Sequence, residues 1–173
     1  MTTTNDVAAD FLGREFTITR EFAAPRELVF RTWTEAKHVA QWWSPKGFTN
    51  PVCEWDARPG GKVYVVMQAP NGTRYPMGGE FREVVAPERL VLTTGALDEQ
   101  GNLMFELLHT VTFAEENGQT ALTIQSEVIK TSPGAGKYIG GYEAGMSQSL
   151  ERLADRIENL PLVVERTFDA PIA

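Results

Sequence analysis

His109 is the residue whose type and position could most directly support chemistry. In the stretch Leu103–Phe113, alternate residues share one face of a predicted strand, and His109 is the only polar residue on the more apolar face. A histidine there could orient a polar group of a ligand, or act as an acid or base near neutral pH. It could equally be a neutral core residue whose ring nitrogens are bonded to neighbours. The spacing places no carboxylate or nucleophile beside it, so we predict no catalytic residue.

Further residues could line an interior cavity together with His109. Phe105 and Leu107 share its strand face, and a second alternating set along Thr73–Val85 could form the opposite wall. Residues of the last helix and of an earlier tryptophan pair complete the set. Each of these residues is also an ordinary core residue. The predicted cavity-lining residues are His109, Phe105, Leu107, Tyr75, Met77, Phe81, Tyr142, Met146 and Trp42.

The sequence contains no recognisable metal or cofactor site. Its two histidines, His38 and His109, lie on different predicted elements, and Cys53 has no companion at a metal-ligand spacing. The glycines of Arg58–Gly61 join two predicted strands, so they serve a turn rather than a phosphate-binding loop. No Gly-x-Ser-x-Gly motif marks a serine nucleophile. We therefore predict neither a metal nor a cofactor.

The elements that position these residues follow from the spacing of apolar residues. Residues 16–22 alternate like a strand, and Pro25 precedes two short helices that end at Ser44-Pro45. Six strands then follow as a meander, separated by turn signals such as Asn71-Gly72. The predicted strands of the meander are Val52–Ala57, Lys62–Ala69, Thr73–Val85, Arg89–Thr94, Leu103–Phe113 and Thr120–Ile129.

A long last helix has the strongest periodicity in the chain. Its apolar residues recur every three or four positions and form one stripe, which requires a partner surface. The curved face of the meander is the available partner, so the sequence predicts an α+β fold in which a sheet grips a helix. Glycines between residues 134 and 145 predict either a mobile segment before this helix or a close approach to the sheet, because glycine disfavours helical structure. We favour the mobile segment, since Ser132–Gly141 shows no helical periodicity. The stripe consists of Ile139, Tyr142, Met146, Leu150, Leu153, Ile157 and Leu160.

The composition excludes several classes of partner. The 173-residue chain carries a formal net charge of −7 without a Lys/Arg cluster, which argues against nucleic acid and anionic membrane surfaces. No apolar stretch approaches membrane-spanning length, and the first residues lack the layout of a signal peptide. The single cysteine rules out an intramolecular disulfide and agrees with a reducing compartment. We therefore expect a cytoplasmic protein.

Short motifs spread over residues 16–158 resemble one known family, and they occur in the family's order. The sequence resembles the SRPBCC superfamily of START-like and birch-pollen-allergen-like proteins, and within it the branch named for activators of the heat-shock protein 90 ATPase. One departure is Met146 after Gly145, where many relatives carry tryptophan. The matching motifs are Phe22–Pro25, Val29-Phe30, Trp33-Thr34, Trp42–Pro45, Gly47-Phe48, Arg58–Gly61, Gly79-Glu80, Pro87–Val91, Val111–Phe113, Gly145, Leu150 and Leu153.

The resemblance implies a helix-grip fold: a strand, two short helices, a six-stranded antiparallel meander and a long C-terminal helix on the concave face of the sheet. It also implies three alternative functions. The first is a non-enzymatic binding module with an internal apolar cavity for a small hydrophobic or amphipathic molecule. The second is a cyclase-like or dehydratase-like enzyme acting on a polyketide-type or other small hydrophobic substrate, in which His109 or a tyrosine moves protons.

The third alternative is an activating partner of a heat-shock protein 90 type chaperone. Eukaryotic activators carry an additional N-terminal domain with an Asn/Trp/His-rich motif, and neither histidine of this chain lies in such a motif. This departure weakens the chaperone alternative. We adopt the binding module as the prediction and leave a homodimer open.

Residues 16–160 are predicted to form a single domain between a polar lead, residues 1–15, and a tail, residues 161–173. In the tail, Arg166-Thr-Phe-Asp-Ala-Pro171 resembles the Arg20-Glu-Phe-Ala-Ala-Pro25 near the start of the domain, about one domain length earlier. The sequence therefore predicts that the tail is the first strand of a second, missing copy and contributes nothing to chemistry.

Overall fold

The structure, a computed structural model that describes residues 11–160, is built on one antiparallel sheet. Its strands are β1 (Glu15–Phe22), β2 (Thr49–Trp55), β3 (Lys62–Gln68), β4 (Arg74–Val85), β5 (Arg89–Ala96), β6 (Glu106–Glu116) and β7 (Gln119–Lys130). The spatial order is β1-β7-β6-β5-β4-β3-β2. Strands β2 to β7 are therefore the predicted meander, and β1 joins it by pairing with β7.

Four helices complete the described part of the fold. They are α1 (Arg26–Thr34), α2 (Ala36–Trp42), α3 (Gly136–Gly140) and α4 (Tyr142–Glu158). The predicted order of one strand, two short helices, a six-stranded meander and a long last helix is confirmed, and the fold is the α+β helix grip. The short helix α3 is the one element that the sequence pattern did not predict.

Two tight turns show how the sequence sets the register of the meander. Asn117 and Gly118 have φ angles of 55° and 76°, the left-handed geometry that a two-residue hairpin needs. They join Glu116 to Gln119, which pair directly across the hairpin. Gly72, with a φ angle of 88°, serves the turn between β3 and β4. Once the register is fixed, alternation along each strand decides which side chains face the interior.

The long helix α4 covers the inward face of the sheet, as its apolar stripe predicts. Leu150 and Leu153 have no exposed surface, and Met146 and Ile157 are each 6% exposed. These residues pack with α1 and the sheet in a group of buried apolar residues that we call the larger cluster. Its members include Met146, Leu150, Leu153, Ile157, Val29, Phe30, Trp33, Trp42, Trp43, Trp55, Met77, Phe81, Leu90, Leu92, Val111, Phe113, Leu122 and Ile124.

A second group of buried apolar residues, which we call the smaller cluster, includes part of α3. It consists of Phe105, Leu107, Val128, Ala135 and Ile139. Ile139 and Ala135 have no exposed surface, so burial rather than periodicity holds the five-residue helix α3 in place. The expectation that this segment lacks helical structure is therefore wrong, because tertiary packing overrides the low helix propensity of its glycines.

Part of the predicted polar lead, residues 1–15, joins the fold. Phe11 packs against the smaller cluster, and the Gly13 backbone N–H donates to the Val128 carbonyl at 2.9 Å. Pairing with β7 thus begins before the expected start of the domain. The remainder of that lead and the predicted tail, residues 161–173, lie outside the described residues.

Arg152 joins α4 to the turn that ends α2. Its guanidinium donates to the backbone carbonyls of Gln41 at 2.9 Å, Trp43 at 2.7 Å and Ser44 at 2.9 Å. These acceptors lie at the C-terminal end of α2, where the helix dipole favours a cation. The contacts fix this turn against the closing helix.

Candidate functional site

His109 lies in the middle of β6, facing the interior, and is 2% exposed. Its strand neighbours are Leu92 on β5 and Ser126 on β7. Both ring nitrogens have partners: Nε2 lies 2.7 Å from the Thr94 hydroxyl, and Nδ1 lies 2.7 Å from the Ser126 hydroxyl. The histidine therefore joins two hydroxyl groups that belong to the strands on either side of it.

Tyr142, the first residue of α4, extends this arrangement to the closing helix. Its hydroxyl lies 2.7 Å from the Ser126 hydroxyl and 3.3 Å from Nδ1 of His109. Its ring centroid lies 5.6 Å from that of His109 and 5.5 Å from that of Phe16. Thr94, His109, Ser126 and Tyr142 thus form one hydrogen-bonded series, which we call the polar chain.

Burial keeps the two titratable members of the polar chain neutral. It lowers the pKa of His109 to about 4, because desolvation disfavours the imidazolium. It raises the pKa of Tyr142, an effect that outweighs the opposing hydrogen bond from Ser126. Near pH 7 the imidazole is therefore uncharged, with one N–H donor and one acceptor nitrogen.

The polar chain lies where the two apolar clusters meet. On β6, Leu107 belongs to the smaller cluster and Val111 to the larger, and His109 stands between them. Tyr142 packs against both clusters. No Lys or Arg side chain within residues 11–160 hydrogen-bonds to the polar chain. The site is therefore an uncharged hydrogen-bonding group in an apolar environment.

The structure brings four of the predicted cavity-lining residues together at the start of α4. His109 and Tyr142 belong to the polar chain, and Phe105 and Leu107 belong to the smaller cluster beside it. The Phe105 ring also stacks with Tyr138, with 6.4 Å between centroids. These residues form the most coherent candidate site in the described part of the chain.

The other buried residues of the predicted set belong to the larger cluster; they are Met77, Phe81, Met146 and Trp42. Trp42 has no exposed surface, and its indole N–H already donates to the Thr32 carbonyl at 2.8 Å. The Trp43 N–H is directed at the Met77 sulfur at 3.2 Å. Neither indole N–H is therefore free for a ligand in this conformation.

Tyr75 is the predicted cavity-lining residue that the structure places at the surface. It is 37% exposed, and its ring centroid lies 6.2 Å from that of Phe48. Tyr75 alternates with Met77 along β4 as expected, but the larger cluster reaches Met77 and not Tyr75. The larger cluster thus packs against the inward face of β4 only from Met77 onward, and Tyr75 lies outside the packed region.

Sequence reasoning missed Thr94 and Ser126, the two hydroxyl residues that bind His109. Ser126 interrupts an inward-facing apolar series on β7, namely Leu122, Ile124 and Val128. That interruption was a readable signal, because a serine on a buried face needs a hydrogen-bond partner. Thr94 carries no comparable signal, since it follows Thr93 at the end of an ordinary apolar strand.

Two concavities of the described residues are not bordered by His109 or Tyr142. One, of about 180 Å³, is bordered by Thr17, Thr110 and Gln125 and also by Ser126 of the polar chain. Another, of about 370 Å³, lies at the hairpin between β6 and β7, where Glu21 and Glu116 border it. Neither concavity is bordered by Thr94, His109 or Tyr142.

The described residues offer no metal-binding group and no membrane-spanning helix. Within residues 11–160, no cluster of three or more His, Cys, Asp or Glu side chains is placed to hold a metal ion. None of the helices there is long and apolar enough to cross a membrane.

His38 contacts Arg156, with 3.1 Å between Nδ1 and Nη2. Burial raises the pKa of the Cys53 thiol to about 11, so the thiol keeps its proton near neutral pH.

Comparison with protein families gives one match over most of the chain. Residues 23–158 match the family described as Activator of Hsp90 ATPase homolog 1-like protein. The matched range includes α1 to α4, β2 to β7 and every member of the polar chain. No curated protein matches the sequence significantly.

Solved structures of similar proteins have the same fold. A crystal structure of a Chromobacterium violaceum protein is 30% identical, with a TM-score of 0.70, and the alignment covers 84% of this chain and 98% of that one. A solution structure of an Arthrobacter aurescens protein is 25% identical, with a TM-score of 0.74, and the coverage is 84% and 87%. The AHSA1 protein of Silicibacter pomeroyi is 24% identical, with a TM-score of 0.72 and coverage of 84% and 98%, and supports the fold alone.

Proposed function

The chain belongs to the Activator of Hsp90 ATPase homolog 1-like family of the SRPBCC superfamily, and from that premise we propose that it binds a small amphipathic molecule between its sheet and the start of α4. Proteins of this family commonly bind small hydrophobic ligands. The observation that carries the proposal is the polar chain, a neutral hydrogen-bonding group flanked by two apolar clusters. Ligand sites typically combine apolar walls with a few placed polar groups.

The route into the site passes α3, whose Ile139 belongs to the smaller cluster. Gly140, Gly141 and Gly145 border this segment, and none of them has a positive φ angle. A Cβ built on each would meet its nearest neighbour at 4.0, 3.8 and 3.7 Å, which is ordinary contact or looser. Neither geometry nor crowding therefore requires glycine there. Each glycine within a helix costs about 1 kcal/mol relative to alanine, so this segment can separate from the sheet at low cost.

The energetic balance favours exchange of protein side chains for a ligand. Withdrawing one buried aliphatic side chain such as Ile139 costs about 1.5–3 kcal/mol. A ligand that buries about 200 Å² of apolar surface gains about 5 kcal/mol, before any hydrogen bond to the polar chain is added. The apolar surface that an amphipathic ligand buries can therefore offset the cost of withdrawing the side chain, and further buried surface and hydrogen bonds must offset the cost of association.

The polar chain is better suited to orienting a ligand than to transferring protons. A general acid or base works best with a pKa near the operating pH. Burial moves the pKa of His109 down to about 4 and that of Tyr142 up, so both keep their neutral forms near pH 7. His109 also has no carboxylate partner among the described residues. These properties favour binding over the cyclase or dehydratase alternative.

Activation of a chaperone receives less support from the described surface. A large contiguous patch of exposed apolar residues often marks a protein-docking face. The large exposed apolar residues within 11–160 are Leu12, Tyr75 and Val85. Tyr75 and Val85 lie near opposite ends of β4, about 30 Å apart at the usual strand rise. They cannot form one compact patch along that strand.

Native mass spectrometry of freshly purified protein tests the proposal directly, because a retained ligand adds mass to the folded protein. A titration with an acetylnaphthalene dye, which combines an apolar body with one carbonyl, provides the second measurement. His109→Leu should weaken dye binding by about 5- to 100-fold, since it removes the hydrogen bonds that organise the polar chain. Thr112→Val, on the outward face of the same strand, is the matched control and should leave binding unchanged.

The same two measurements can refute the proposed binding function. The proposal is refuted if no molecule copurifies and neither the parent protein nor the Thr112→Val variant binds the dye. Equal dye affinity in the parent and a folded His109→Leu variant would place the dye away from the polar chain. Thermal unfolding of each variant establishes that it is folded before the titration.

A further inference from the structure

The polar chain has one more hydrogen than it has short internal contacts; its fourth contact, between the Tyr142 hydroxyl and Nδ1 of His109, is longer at 3.3 Å. Thr94, Ser126 and Tyr142 each carry one hydroxyl hydrogen, and neutral His109 carries one N–H. Three close contacts join these four groups in series, each of 2.7 Å. Each of these contacts uses one hydrogen, so one hydrogen remains. It lies at an end of the series unless Ser126 accepts from both neighbours, which would leave the hydrogen of this buried hydroxyl unpaired. The tautomer of His109 decides which end that is.

The two tautomers leave the spare hydrogen in different surroundings. If Nε2 of His109 carries the proton, it donates to Thr94, and the Thr94 hydrogen is left over. Thr94 is 6% exposed, and its hydroxyl contacts no other hydrogen-bond acceptor within residues 11–160. A buried hydroxyl hydrogen without an acceptor is strongly unfavourable. This tautomer is therefore the costly one.

The other tautomer places the spare hydrogen at the start of α4. With the proton on Nδ1, Thr94 donates to Nε2, His109 donates to Ser126, and Ser126 donates to Tyr142. The Tyr142 hydroxyl hydrogen is then left over. The Tyr142 hydroxyl is desolvated, but the residue as a whole keeps some exposed surface and lies next to α3, so a ligand or a water molecule that enters there can accept this hydrogen. The Nδ1–H tautomer thus leaves its one unpaired hydrogen at the end of the series that a ligand can reach.

We propose that His109 carries its proton on Nδ1 and that Tyr142 thereby presents its hydroxyl hydrogen to a neutral carbonyl oxygen of the ligand. This inference rests on the proposed binding function and specifies the chemistry of the ligand's polar end: a ketone, ester or amide. All hydrogen bonds of the series then run in one direction, toward the ligand, and polarise one another in the same sense.

A carboxylate fits this position less well than a neutral carbonyl. The polar chain is uncharged, and no Lys or Arg side chain of the described range hydrogen-bonds to it. A buried carboxylate would therefore lose its hydration without gaining an ion pair. A ligand whose polar group can only donate is also disfavoured, because Tyr142 would have to turn its hydrogen inward and reverse the series.

The direction of the series can be measured without any ligand. The chain has two histidines, and nitrogen NMR of labelled protein distinguishes a protonated ring nitrogen from a bare one. Comparison with a His38→Gln variant assigns the signals to His109. We expect His109 at pH 7 to be neutral, with its proton on Nδ1. A ring with its proton on Nε2 overturns the inference.

A pair of dyes tests the carbonyl preference. One is the acetylnaphthalene dye, and the other carries an ethyl group in place of the acetyl group, so it keeps the shape and loses the acceptor. The parent protein should bind the acetyl dye about 3- to 10-fold more tightly, the usual contribution of one hydrogen bond. Tyr142→Phe removes the donor and should bring this ratio close to one, whereas Thr112→Val, on the outward face of β6, should leave the ratio unchanged.

The outcomes separate this inference from the proposed function. If both dyes bind equally well to the parent protein, the carbonyl preference is wrong, whereas the binding function stands. If neither dye binds and His109 carries its proton on Nδ1, the binding function is wrong, whereas the direction of the series stands. The NMR measurement on the parent protein remains decisive for that direction even if Tyr142→Phe does not fold.

Discussion

Replacing Gly145 and Gly140 with alanine should strengthen the segment that covers the candidate site. Gly145 lies within α4, and a Cβ built there would meet the Pro45 side chain at 3.7 Å, an ordinary contact. Gly140 ends α3, and the nearest atom to its Cβ would be 4.0 Å away, on Phe11. Neither substitution creates a clash, so the change in helix propensity should dominate.

The expected gain in the free energy of unfolding depends on where each glycine lies in its helix. A glycine-to-alanine change in a helix interior gains about 1 kcal/mol, which applies to Gly145. At the end of a helix the gain is smaller, so we expect about 1–1.5 kcal/mol for the double variant. For a domain of this size, that corresponds to a rise of about 2–6 °C in melting temperature.

Hydrogen exchange localises the effect. Backbone amides in residues 136–146 should exchange up to about tenfold more slowly in the double variant, because local opening becomes less favourable by a similar free energy. The exchange rates of amides in β6 and β7 should change only as far as the stability of the whole domain changes. If this segment is the route to the polar chain, association of the acetylnaphthalene dye should slow by a similar factor.

Gly134→Ala provides the contrasting control. Gly134 has a φ angle of 87°, so alanine there should be destabilising by about 1 kcal/mol although nothing lies within 4 Å of its Cβ position. The reasoning is refuted if the double variant is no more stable than the parent, or if its amides in residues 136–146 exchange at the parent rate. Slower exchange with unchanged dye association would instead refute the route past α3.

Two further predictions concern ionisable groups that bond within the fold. The pKa of His109 is about 4 in the folded protein against 6.5 ordinarily, so the unfolded chain binds more protons between these values. The contribution of neutral His109 to the free energy of unfolding is therefore present in full above about pH 6.5 and is lost as the pH falls. Urea unfolding should show a loss of about 3 kcal/mol by pH 4 in the parent protein, and His109→Leu should not show this loss. An identical pH dependence in both proteins would contradict the prediction. Arg152→Lys should destabilise the protein by about 1–3 kcal/mol, because one ammonium cannot reproduce the fork that reaches Gln41, Trp43 and Ser44. Unchanged urea stability of Arg152→Lys would show that these contacts add little.

The meander could be predicted because its signals are local. The Asn117-Gly118 turn needs only two adjacent residues that tolerate positive φ angles, and the alternation along β6 needs only its own sequence. The inward position of His109 follows from that alternation, and the structure confirms it at 2% exposure. Local patterns thus identified the strand, its inward face and the polar residue on that face.

The partners of His109 could not be predicted in the same way, because they depend on pairing between strands. Ser126 meets His109 only through the register of β6 with β7, and Thr94 only through the register of β5 with β6. The position of Tyr75 depends equally on how far the larger cluster extends along β4. These are non-local properties, and a single strand's sequence does not encode them.

The packing of α3 shows the same division between local and tertiary information. Its glycine-rich sequence predicts no helix, and the local inference was sound because such a segment has low helix propensity. Burial of Ala135 and Ile139 supplies the stabilisation that propensity lacks. A helix held chiefly by tertiary contacts loses its stabilisation when those contacts are exchanged for a ligand. The low helix propensity of this segment can thus be read from its sequence, whereas its helical conformation depends on tertiary packing.

The bond between Ser126 and Tyr142 links the stability of the closed conformation to ligand recognition. It is the only direct hydrogen bond between Ser126 and the closing helix α4 among the described residues. Movement of Tyr142 with the first turn of that helix, when α3 separates from the sheet, would break it. In the inferred direction Ser126 is the donor, so its buried hydrogen would lose its acceptor when the site opens. A carbonyl ligand that reached this position could accept that hydrogen and, once α4 returned, the Tyr142 hydrogen instead. When the site closes over a ligand with a carbonyl group, every hydrogen bond of the polar chain would thus be restored and one bond to the ligand would be added. When it closes over a purely apolar ligand, the same bonds would be restored and none would be added.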